Sequence, residues 1–167
     1  MLLALVPALL LVGCEAAPTR SKAAAGGYPA LTGRVVDAAH VLSSDASIAL
    51  ERELADAEQK TKHQMVIVTV SSLGGHTIED FGHDLGNSWG IGRKGVNDGV
   101  LLIVAPNERK VRIEVGYGLE GVLRDEEAGH IIQNDILPRF RAGDLSGGIV
   151  AGTKAVLQEI DVPGATP

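Results

Sequence analysis

Four carboxylates, Asp98, Glu120, Asp125 and Glu126, are the residues whose type and spacing point most directly to chemistry. All fall in one stretch, Asn97 to Asp144, and each sits where an element should begin or end. Carboxylates gathered at element ends, beside backbone amides and carbonyls, form an acidic rim that suits a hard divalent cation, which takes oxygen ligands. Tyr117 lies in the bend between them.

The elements that must position this rim can be read from the same stretch. Val100 to Val104 is a continuous apolar run, the pattern of a strand covered on both faces. Pro106-Asn107-Glu108-Arg109 has turn composition. Val111, Ile113 and Val115 then alternate with Arg112 and Glu114, as in a strand nearer an edge. The two runs form an antiparallel hairpin, which returns Gly116-Tyr117-Gly118 to the end of the sheet where Asp98 stands. Gly116 and Gly118 permit a sharp bend. Asp125 is a good N-cap for a helix marked by Ala128, Ile131, Ile132 and Ile136. On this geometry Asp98 and Asp125 approach each other, and a cation would hold two charges that otherwise repel.

The phrases NDGVLLIVA, VRIEVGYGLEGVL and ILPRFRAGD followed by Gly147-Gly148 resemble the TPM domain family, which includes a thylakoid-lumen acid phosphatase and bacterial envelope proteins. The resemblance runs from about Gly33 to Ile160. It implies a three-layer α/β/α sandwich, an acidic cation site that carries over to Asp98 and Asp125, and phosphatase activity in some members.

The remaining elements agree with an α/β class. Ser43-Ser44-Asp45 offers a cap for a first helix with Leu50 and Leu54 on its apolar stripe. Gln64 to Val70 is β-branched and strand-like, and Thr77 to Trp89 is a second helix. Strand, helix and strand in that order imply a right-handed parallel crossover. Leu145 to Ile160, capped by Asp144, closes the domain. The small sheet is therefore mixed, with a parallel crossover and a β-hairpin.

The chain of 167 residues divides into a leader over 1–14, a tether over 15–27, one domain over 28–161 and a tail over 162–167. Met1 to Val12 is apolar but shorter than the roughly 20 residues that span a bilayer, and it suits a signal-peptide core. Leu11-Val12-Gly13-Cys14 resembles the bacterial lipobox, which makes Cys14, the single cysteine, a lipid anchor. No Lys or Arg precedes the apolar run. Glu15, where an aspartate commonly signals inner-membrane retention, points to the outer membrane. The tether, rich in Ala, Gly, Pro, Ser and Thr, holds the domain off the membrane on its periplasmic side. A net charge of −6 excludes a nucleic-acid surface.

Several chemistry-bearing patterns have plainer explanations. His76, Asp80, His83 and Asn87 share a stripe of the second helix, but Ile78, Phe81, Leu85 and Trp89 occupy the opposite one, so the histidine face is a solvated side. Gly90 to Gly95 lacks both the dinucleotide and the Walker spacing and reads as a mobile loop, with Arg93 and Lys94 keeping it soluble. No serine-hydrolase motif is present. Asp135 falls on a buried helical stripe, where Arg139 at i+4 is its expected partner. Asp37 is a turn residue. For Asp98 and Asp125 themselves, turn and cap roles compete evenly with metal ligation.

Two functions follow. In one, the domain is a binding or accessory module of envelope maintenance, with calcium ordering the bend from Tyr117 to Asp125 and an envelope protein as partner. In the other, a metal-dependent acid phosphatase acts on a phosphate-bearing ligand, with Glu120 or Glu126 managing protons. The anchor is tested directly: Cys14→Ser should release the chain from the membrane fraction, and a wild type that is wholly soluble with its leader uncleaved would refute lipidation.

Overall fold

The computed structural model describes residues 27–161. The leader, Cys14, most of the tether and the tail over 162–167 lie outside the described residues. A four-stranded sheet runs in the order β1 (Val35–Asp37), β2 (Gln64–Thr69), β3 (Gly99–Ala105) and β4 (Lys110–Val115). β1, β2 and β3 are parallel, and β4 is antiparallel to β3. The fold class is the expected mixed α/β sandwich.

Every residue of β3 is buried, as its unbroken apolar run requires. The hairpin turn closes through Arg109 N donating to Pro106 O at 3.1 Å. β1 was not legible as a strand: it lies in the lead-in, and three residues are too few to show alternation. Asp37 at its end is a turn residue as expected, accepting from the amides of Val41 and Leu42.

Helices cover both faces. On one, α1 (Ser44–Thr61), α3 (Asp125–Ile131), α4 (Leu137–Arg141) and α5 (Leu145–Ile160) enclose the larger core, which includes Leu50, Leu54, Leu102, Ile113, Ile136, Ile149 and Val156. On the other, α2 (Ile78–Trp89) packs alone on Val66, Val68, Leu101 and Ile103 through Phe81 and Leu85. Ser43 and Asp144 cap as the sequence implies, accepting from Ala46 N and Gly147 N, and Thr77 caps α2 by accepting from Asp80 N.

Two expectations fail in the α3 region. Arg124, not Asp125, occupies the N-cap, and its side chain makes no capping bond; Asp125 is the first helical residue. Between α3 and α4 the chain makes a π-helical turn, Ile132–Ile136. A wider turn shifts the side-chain register, and Asp135 is only half-buried. Among the described residues Arg139 pairs with Asp144, at 3.8 Å, rather than with Asp135.

This π turn is wedged tightly against α5. A Cβ added at Gly152 would stand 2.5 Å from Cδ1 and Cγ1 of Ile136, and one at Gly148 equally close to the Phe140 ring. Small residues here set the distance between the two helices. Gly152→Val should therefore cost about 1–3 kcal/mol through overpacking, read as a lower urea midpoint at unchanged slope.

Candidate functional site

The hairpin places the end of the sheet as the sequence implies. Gly116 N donates to Gly99 O at 2.8 Å and Gly118 N to Asn97 O at 3.0 Å, so the bend after β4 lies against the residues flanking Asp98. A Cβ at Gly116 would collide with the carbonyl of Asn97, and one at Gly118 with that of Val96. Glycine is required at both positions for this close approach. The bend then continues as a 3₁₀ turn, Tyr117–Leu119, ahead of α3.

Asp98 does not reach the rim. It is completely buried, and both carboxylate oxygens are taken. Oδ1 accepts from Arg93 N at 2.7 Å, while Oδ2 accepts from Arg93 Nε at 2.7 Å and lies 3.1 Å from His63 Nδ1. Arg93 Nη2 also stands 2.7 Å from Asp98 Oδ2. Burial pushes this carboxyl up, but the bonds from the Arg93 guanidinium and amide, together with His63, outweigh it and hold the group below its ordinary value. Arg93 is thus the clamp that ties the 90–95 loop to the sheet, not a solubilising loop residue. A cation at Asp98 would have to displace Arg93, so this carboxylate does not fit a metal ligand.

Asp125 stands elsewhere. It lines a cleft of about 360 Å³ with His83 and Asn87 of α2, Arg112 and Glu114 of β4, and Tyr117 and Glu120 of the bend. The structure therefore brings Asp125, Glu120 and Tyr117 together, and leaves Asp98 behind the sheet end and Glu126 outside the lining. Glu120 and Asp125 are exposed, and Tyr117 is 75% exposed. Among the described residues no three His, Cys, Asp or Glu side chains gather as a metal-binding group. The two rim carboxylates would need carbonyl or water oxygens to complete a calcium shell.

The cleft also contains residues that the sequence assigned to solvent. His83 and Asn87 are exposed as expected, yet they wall the cleft, with Asn87 Nδ2 donating to His83 Nε2 at 3.0 Å. Opposite them Arg112 Nε donates to Glu114 Oε2 at 2.6 Å. The available signal was the i, i+4 spacing of His83 and Asn87, which fixes a shared face but not what that face looks onto.

The TPM domain sequence profile matches residues 35–159. The chain belongs to the TPM domain family. A solution structure of the N-terminal domain of a protein from P. gingivalis is similar at 35% identity and a TM-score of 0.73, over 78% of this chain and 83% of that one. The BA42 protein of Bizionia argentinensis shares the fold at 20% identity and a TM-score of 0.64, over 75% and 84%. The N-terminal domain of cg2496 from Corynebacterium glutamicum shares it at 18% and 0.62, over 84% and 88%. No curated protein matches the chain.

The depressed acidity of Asp98 sets a sign for the stability of this TPM domain. A carboxyl lowered on folding stabilises fully above its unfolded value and loses that contribution as pH falls through its folded value. Asp98→Asn should cost about 3 kcal/mol at neutral pH, since it breaks a buried ion pair. The gap between wild type and variant should narrow from near the ordinary value of 3.8 downward. Chemical denaturation of both proteins across pH 2–7 measures it.

Proposed function

We propose that this TPM domain is a binding or accessory module of the cell envelope, held through a lipid on Cys14 and facing the periplasm, with the cleft beside β4 as its ligand site. The observation that carries the reading is the chemistry of the cleft. Among the described residues lining it there is no Ser, Thr, Cys or Lys, and its one arginine, Arg112, is already paired with Glu114. Such a surface offers carboxylate, imidazole, phenol and amide groups suited to holding a cation or a polar ligand. Calcium fits the reading at Glu120 and Asp125, where the irregular bend offers carbonyls at adaptable distances and magnesium's stricter octahedron is disfavoured.

A second reading is hydrolysis of a phosphate monoester, favoured by His83 and Arg112 standing in one cleft with Glu120 and Asp125. In it a cation would neutralise the phosphate, and His83 or Glu120 would move protons.

The two are separated on one preparation. Calcium should raise the melting temperature more than magnesium, by a stabilisation of about 2.7 kcal/mol at a hundredfold excess over the dissociation constant. Glu120→Gln with Asp125→Asn should abolish that shift, whereas Asp98→Asn should lower the melting temperature and keep it. No calcium shift in the wild type removes the cation. Turnover of p-nitrophenyl phosphate that disappears in the Asp125→Asn protein would replace the accessory reading with the enzymatic one.

A further inference from the structure

The free edge of β4 carries an instruction of its own. β1, at the opposite edge, is three residues long, whereas β4 holds unbroken register with β3 over all six of its residues, Lys110 to Val115. No proline or bulge interrupts it. Such edges are ordinarily blunted because they template strand addition.

The direction of the backbone groups follows from the ladder. Gly116 N bonds to Gly99 O directly opposite it, which sets the phase of the ladder, and bonded pairs alternate along an antiparallel ladder. Glu114, Arg112 and Lys110 therefore bond to β3. Val111, Ile113 and Val115 turn their N–H and C=O outward, and no hydrogen bond among the described residues reaches them. Arg112 and Glu114 stand on the α2 face of the sheet, close to Gly82, while Val111, Ile113 and Val115 face the larger core.

We propose that β4 pairs antiparallel with β4 of a second copy of this chain about a two-fold axis through Ile113, joining two sheets into one of eight strands. An axis normal to the sheet keeps each face continuous. Val111 then meets Val115 of the second copy, and Ile113 meets its own equivalent, so every outward-facing residue exchanges bonds with another, about six in all. In the same register Arg112 lies opposite Glu114 on both sides of the axis. The neighbouring registers that also match outward groups set Arg112 against Arg112, or Glu114 against Glu114. Charge thus selects the central register and penalises its alternatives. A parallel partner or an unrelated peptide gains no such match from this sequence.

The inference does not rest on the cation reading at Glu120 and Asp125, but its seam, Arg112 to Val115, also lines the cleft, so a paired strand and a cleft ligand would compete for that wall. Sedimentation velocity on the full chain carrying Cys14→Ser, which removes both the anchor and the only thiol, should show a dimer forming with concentration over about 5–500 µM. Val111→Pro deletes an N–H that β3 does not use and is tolerated on an edge strand, so the fold should survive while association weakens about tenfold or more. Arg112→Glu and Glu114→Arg should each weaken it, and the double exchange should restore it. Glu120→Gln with Asp125→Asn should leave it unchanged. A chain that stays monomeric throughout, or a dimer indifferent to Val111→Pro and to the charge exchange, would overturn the proposal; the monomer would leave the edge to an extended segment of another protein.

Discussion

The arrangement at this end of the sheet depends on the buried carboxylate of Asp98. A charge with no exposed surface is tolerable only when donors surround it, and Arg93 and His63 meet that demand from two directions. Arg93 closes the glycine-rich loop after α2 onto the start of β3. His63 closes the end of α1 onto the same point, through a connection in which Thr61 Oγ1 also accepts from His63 N. One side chain therefore fixes where two helices leave and two strands begin. The bend at Gly116 to Gly118 packs against the backbone so fixed, and the cleft takes its floor from it.

Two layers contribute to that cleft. β4 and the bend belong to the larger core, under α1, α3, α4 and α5, while His83 and Asn87 arrive on α2, which among the described residues is the one helix of the opposite face. The layers meet only across the sheet. The strand wall is held by a full ladder to β3, and the helix wall by Phe81 and Leu85 of α2 in the smaller core.

Much of this was legible before any coordinates. β2, β3 and β4 declare themselves by uninterrupted or alternating apolar runs, and Ser43 and Asp144 announce helix starts because a short oxygen side chain has one good use there. The return of Gly116 to the neighbourhood of Asp98 followed from the hairpin alone. What escaped was tertiary. Asp98 and His63 each directly precede a strand, and only the parallel pairing of Gln64 with Gly99 makes them neighbours. Proximity of the backbone was mistaken for convergence of carboxylates, because the hairpin fixes which end Asp98 occupies and says nothing of which way its side chain turns. The π turn was invisible because an added residue per turn breaks the periodicity by which helices are recognised. The role of α2 was half visible: an amphipathic stripe identifies the wet side, but Arg112 and Glu114 facing it belong to a strand far along the chain.

The sequence has one tryptophan, and the fold puts it to a particular place. Trp89 ends α2, and its indole Nε1 donates to the carbonyl of Pro29 at 3.1 Å, across the seam where the lead-in crosses the helix. Tyr28, the neighbour of Pro29, lies edge-on to Phe81 of the same helix, with ring centroids 5.1 Å apart. The intrinsic tryptophan fluorescence of this protein is consequently a local signal, emitted from the seating of α2 on the strap that follows the tether, and its colour reports the integrity of that contact.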